Sequence, residues 1–151
     1  MARIHGEVTI ECPIDTVFDH VADRTKEPTY NPRIGESVKL TAGPIGVGTR
    51  FRTLSSAGGR PVEGLIDVTE YARPSRLTFR TYLPAADIED TLQFGPAPTG
   101  TRVAWDWSVR PVGPARLLSP LIATLGRRRQ TANWTTLKRH LEHRPDGPPG
   151  R

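Results

Sequence analysis

The chain has 151 residues, 36% hydrophobic and 25% charged, and its 21 Lys and Arg against 16 Asp and Glu give a net charge of +5. That length predicts one domain with a core large enough to enclose a cavity, and the composition is that of an ordinary soluble protein. No basic block exceeds Arg127–Arg129, which argues against a nucleic-acid partner; the single Cys12 excludes an internal disulfide; no run reaches the ~20 apolar residues of a bilayer span.

Ile4, Val8 and Ile10 alternate with Arg3, Glu7 and Glu11, so a half-buried strand is predicted up to Cys12. Pro13 then opens a helix with Ile14, Val17, Phe18 and Val21 on one face, and Cys12 stands at its cap in a structural role. A short helical turn over Thr25–Tyr30 ends at Asn31-Pro32. Strands follow over Ser37–Thr41, Thr49–Leu54, Pro61–Tyr71, Leu77–Tyr82, Ile88–Phe94 and Thr101–Val109, each bounded by a Gly- or Pro-rich turn. The segment Gly43–Gly48 joins two strands and is therefore a turn rather than a phosphate loop. In the last strand Val103, Trp105, Trp107 and Val109 share a face, and two indoles there need a large partner.

That partner is a long helix over Ser119–His143, with Ser119 as cap and Pro120 at its first position. Trp134, Leu137 and Leu141 are spaced to face the sheet. Leu121 and Leu125 fall on the opposite side if the helix runs straight through Gly126. A bend at Gly126, or packing beneath Gly113–Leu118, is the expected resolution. The alternatives are that Leu117, Leu118, Leu121 and Leu125 form a homodimer contact or a membrane-surface patch beside the arginines. Arg127–Arg129 itself is read as a solvated face. The domain is expected to span residues 1–143, and RPDGPPGR, residues 144–151, to be a disordered tail. With no apolar signal core at the N-terminus and one cysteine, the chain is read as cytoplasmic.

The order of these elements resembles the helix-grip fold of the START-like, or SRPBCC, superfamily, and more narrowly its polyketide cyclase/dehydrase-like branch. The residues that carry the resemblance are ECPIDTVFDHVAD, GPIGVGTRFR, EYARPSRLTF, GTRVAWDWSV and LKRHLE, which together span the chain to about His143. The resemblance implies an α+β fold: a seven-stranded antiparallel curved sheet wrapped around the C-terminal helix, with two short helices after the first strand. It also implies a deep, mostly apolar pocket between sheet and helix.

The strand faces agree. Phe51, Val62, Ile66, Val68, Phe79, Leu92, Phe94, Trp105 and Trp107 should look inward, toward Trp134 and Leu137 of the helix. Read together they describe a site for a small apolar molecule such as a polyketide, lipid or isoprenoid-like compound; complete filling of the core by the same side chains is the competing reading. Asp90 is the foremost candidate for chemistry, because it shares a face with Ile88, Leu92 and Phe94 and burial would raise its pKa toward acid/base use. A solvated place near the strand end is equally open to it. Glu70, in phase with Ile66 and Val68, is a weaker candidate of the same kind; Thr81 is placed to bond a ligand oxygen. Tyr30, with Asn31, belongs to the pocket mouth, as gate and donor or as a packed aromatic. His5 faces water, His20 lies off the helix stripe, and His140 and His143 sit at a helix C-terminus. None has a nucleophile or metal-ligand spacing, so no metal and no cofactor are expected. A ligand carrier is thus favoured over a cyclase/dehydrase-type enzyme or a membrane-associated regulatory module.

Overall fold

The computed structural model describes residues 2–57 and 59–143. Strand alternation propagates as the sequence dictates: β1 (Ala2–Ile10) is followed by α1 (Ile14–Ala22) and a 3-10 helix, η1 (Arg24–Thr29). Then come β2 (Ile34–Lys39), β3 (Arg50–Ala57), β4 (Arg60–Ala72), β5 (Arg76–Tyr82), β6 (Ala86–Ala97) and β7 (Gly100–Pro111). The chain enters α2 (Ser119–Glu142) through a second 3-10 helix, η2 (Gly113–Leu118). The strands form one antiparallel sheet in the order β1-β7-β6-β5-β4-β3-β2, so the first strand closes the meander at its far edge. This is the helix-grip arrangement, with α1, η1 and α2 on the inner face.

Register places the inner residues in rows across the sheet. One row runs Val68, Phe79, Asp90, Trp107, Ile4 through β4, β5, β6, β7 and β1. The next runs Phe51, Ile66, Thr81, Ile88, Val109. Because side chains alternate, Arg80, Glu89 and Ser108 lie on the other face.

The strand-to-helix corner is tied to β7 and to the last turn of α2. Thr101 Oγ1 donates to the Cys12 carbonyl at 2.7 Å, the Cys12 thiol donates to the Leu141 carbonyl, and the Glu11 amide donates to Glu142. On the other side of α1, Arg73 holds Asp19 through two hydrogen bonds of 2.7 and 2.9 Å. This bridge keeps the Asp19 carboxyl below its ordinary range, despite some burial.

Helix α2 is continuous through Gly126, and the missing side chain there sets its distance from the sheet. A Cβ at Gly126 would lie 2.5 Å from Trp107 Cζ3 and 2.8 Å from Ile4 Cδ1. Gly6 does the same for the neighbouring indole, since its Cβ would fall 2.5 Å from Trp105. Small residues at these two points let both tryptophans lie flat between sheet and helix.

The expected bend, or packing under Gly113–Leu118, does not remove the leucines from water. Leu117, Leu121 and Leu125 are 86%, 53% and 41% exposed. The helix buries the side bearing Gly126, Trp134, Leu137 and Leu141, which leaves Leu121 and Leu125 on the outer face. The side chain of Leu118 and the tail at 144–151 lie outside what is described. Among the described residues no helix is long and apolar enough to cross a membrane.

Candidate functional site

Between the sheet, η1 and the middle of α2 lies a cavity of about 520 Å³. Its floor is the two inner rows, with Ile66, Phe79, Thr81, Ile88, Asp90 and Trp107 exposed to it. Trp134 and Leu137 of α2 form the roof, and Leu83–Ala86 of the β5–β6 turn form one lip. The wall is mostly apolar, as expected for a site that takes an apolar guest.

Polar groups converge at the η1 side. Arg24 Nη2 donates to Glu27 Oε2 at 2.6 Å, and the Asn31 amide donates to the other Glu27 oxygen at 3.1 Å. Asn31 Oδ1 in turn accepts from the Arg33 amide, which fixes the turn out of η1. The Arg24 guanidinium also lies over the Phe79 ring, 4.9 Å from its centroid, a geometry that adds cation–π attraction. Burial works against the Arg24 charge, but Glu27, Tyr30 and Asp90 more than offset it, and the group is held above its ordinary pKa. Arg24 is a fixed cation.

Asp90 is different. It sits on the inner face between Phe79 and Trp107, and among the described residues none donates a hydrogen bond to it. Its Oδ1 is sealed from solvent, although the residue as a whole lines the cavity. Burial pushes the carboxyl up to about 7; Arg24 pulls the other way, while Glu27 and Asp106 reinforce the rise. Tyr30, buried beside the same cluster, has its phenol pushed up by desolvation, with Arg24 opposing. It therefore stays protonated at neutral pH, a donor and not a base.

The structure divides the expected site residues. Tyr30, Ile66, Phe79, Thr81, Asp90, Trp107, Trp134 and Leu137 line the cavity, as do Val62 and Asn31. Phe51, Val68, Leu92, Phe94 and Trp105 do not: they are buried in solid core with Phe18, Leu77 and Val103. Phe18 meets Phe94 edge-on at 5.1 Å, and Trp105 stacks on Trp134 with ring centroids 5.2 Å apart, so no space remains among them. All five point inward, but neighbouring side chains fill the space above them, Phe18 of α1 against Phe94 and Trp134 of α2 against Trp105.

Glu70 is a correction of another sort. A bulge between Val68 and Glu70 resets the alternation of β4, and Glu70 turns to Arg76 and Thr78, each donating at 2.8 Å. The Arg76 bond, then the Thr78 bond, lower its pKa; it is a surface carboxylate. His20, set aside as off the stripe, is buried between α1, Tyr30 and α2, with its ring 5.2 Å from His140.

Sequence reading missed Arg24 and Glu27, because a short turn before Pro28 gives no periodicity by which to place a side chain. It also missed Gln130 and Asn133 of α2 on the cavity wall. The spacing of Arg129, Asn133 and Leu137, four residues apart, carried that signal. All three residues of Arg127–Arg129 are exposed, and Arg129 also reaches the cavity rim.

Comparison with known proteins agrees with this architecture. The family described as polyketide cyclase/dehydrase and lipid transport matches residues 1–142. Among solved structures, the chain is similar to a START superfamily protein from Mycobacterium smegmatis, at 17% identity and a TM-score of 0.81, covering 94% of this chain and 98% of that one. It is also similar to a protein from Thermus thermophilus, TTHA0849, at 22% identity and a TM-score of 0.76, covering 90% and 94%. Identities this low speak for the fold alone. No curated protein matches the sequence. The family match over nearly the whole chain makes it a member of the polyketide cyclase/dehydrase and lipid transport family.

Proposed function

We propose that this protein binds a small, largely apolar molecule of the polyketide, lipid or isoprenoid-like kind, with one polar end placed against Arg24, Glu27, Tyr30 and Asp90. The observation that carries this reading is the cavity itself. Its volume of about 520 Å³ falls within the ~300–1,000 Å³ usual for small-molecule sites. Family and fold are consistent with it. Native mass spectrometry of freshly purified protein tests it directly: a retained small molecule, lost in Trp107→Ala, is the expected result. A cavity that takes up no apolar probe at all would sink the proposal.

A cyclase/dehydrase-type activity is the second reading, and the unpartnered Asp90 carboxyl near neutral pKa favours it. Asp90 fits an acid/base role; Tyr30 fits only a donor role. Turnover abolished in Asp90→Asn with binding of an apolar ligand retained would support chemistry, whereas a variant that changes ligand preference alone would support carriage.

A third reading concerns the outer face of α2, where Leu121 and Leu125 lie in line with Arg128. Between residues 112 and 141 the chain carries six Lys and Arg and no Asp or Glu. Exposed leucines flanked by cations suit an anionic membrane surface. Flotation with anionic liposomes that disappears in a Leu121→Ser, Leu125→Ser double variant is the expected outcome; a concentration-dependent dimer without flotation would assign the patch to self-association instead.

A further inference from the structure

We propose, resting on the cavity reading above, that Asp90 makes the site select ligands whose polar end is an uncharged hydroxyl, phenol or alcohol, and reject the matching carboxylate. Asp90 is central to the floor, flanked by Phe79 and Trp107 on neighbouring strands. No described residue supplies it with a donor. A ligand hydroxyl directed at this carboxyl provides the hydrogen bond the fold leaves out, and a buried acceptor left unmet is costly.

The charges around Asp90 point the same way. From η1 it faces Arg24 and Glu27, with Tyr30 behind them; from β7 it feels Asp106. Arg24 is paired with Glu27 through Nη2 at 2.6 Å, which offsets its charge, although its buried Nε has no partner among the described residues. Arg129, the only cation that α2 contributes to the wall among the described residues, stands at the exposed rim, where it repels Arg33. A carboxylate on the floor therefore meets Asp90 and Glu27 in surroundings of low dielectric where like charges interact strongly, while Arg33 and Arg129, the wall's other two cations among the described residues, are both exposed and screened by solvent. A hydroxyl incurs none of this.

Equilibrium dialysis with three probes of one shape reads the effect: naphthalene, 2-naphthol and 2-naphthoate. At about pH 8, with Asp90 ionised, the naphthol is expected to bind at least about tenfold more tightly than the naphthoate. In Asp90→Asn the naphthoate gains affinity and the two converge, while naphthalene, which touches neither charge, is unchanged and reports an intact cavity. At about pH 6 the gap narrows in the wild type only, as Asp90 takes up its proton. Equal affinity for the two polar probes in the wild type, or an undiminished gap in Asp90→Asn, overturns this inference and leaves the cavity reading standing. Failure of all three probes, naphthalene included, overturns the cavity reading itself.

Discussion

The two ends of the grip are built from the same strands and the same helix, yet one is solid and the other hollow. At the α1 end the inner face is dominated by large apolar side chains, Leu77, Leu92, Phe94, Val103 and Trp105, with Phe18 and Leu141 lowered onto them. At the other end α1 has stopped at Ala22, and the chain passes into η1, which offers Arg24 and Glu27 instead of a second phenylalanine. The floor beneath is correspondingly thinner, with Thr81 and Asp90 where the packed end has leucines. Trp134 marks the boundary, stacked on Trp105 and also forming cavity wall. The lesson is that the hollow is made less by the sheet than by where the covering helix ends.

The largest expected effect separates the ends outright. Phe18 is fully buried and meets both Tyr71 and Phe94 edge-on, so Phe18→Ala should cost about 3–5 kcal/mol in chemical denaturation. Truncations on the cavity floor remove side chains that lack neighbours on one side and should cost far less. Equal losses at both ends would mean that the cavity collapses in solution.

Next is the contact that sets helix height. Gly126→Ala forces its new methyl against Trp107 and Ile4, a strain worth about 1–3 kcal/mol. The half-buried Trp107 ring is free to yield toward the cavity, so the variant should also lose affinity for a bulky guest. Thr101→Val belongs to the same tier. It removes the donor to the buried Cys12 carbonyl at the solid end, for about 1–3 kcal/mol.

Asp90→Asn has the opposite sign. Folded, Asp90 keeps its proton up to about pH 7, whereas the ordinary carboxyl releases it near 3.8. The folded state thus binds more protons between those values, and Asp90 makes the fold progressively less stable as pH rises through that window, with its full cost present above it. The stability gap between the asparagine variant and wild type should open from near zero at about pH 4 and widen by about 1.4 kcal/mol per pH unit across that window. A difference that does not change with pH would place Asp90 in water.

The order of elements, the antiparallel arrangement and most of the inward faces were legible in the chain, because most strands obey a period of two over several residues. Trp105 and Trp107 illustrate where that legibility ends. They are two residues apart on one face and equivalent by pattern; one is clamped on Trp134, and the other faces open space beside Gly126. What distinguishes them is the height and extent of the elements above, which no single strand encodes. Glu70 escaped for a local reason, since a one-residue bulge inverts phase without altering composition. Arg24 and Glu27 escaped because their positions depend on a short 3-10 helix held by its own hydrogen bonds.

The smallest effect sharpens the comparison most, since it repeats one substitution at the other end. Thr81→Val keeps shape and strand preference, and the hydroxyl removed lies on the cavity wall without a hydrogen bond to any described residue. Stability should therefore stay within ~0.5 kcal/mol of wild type, against the larger loss at Thr101. Binding should respond instead: affinity for a purely apolar probe holds or rises slightly, while a ligand whose oxygen reaches Thr81 binds more weakly. A Thr81→Val protein as unstable as Thr101→Val would show that the floor beneath α2 is load-sharing core, and the distinction between the two ends would then be one of residue type alone.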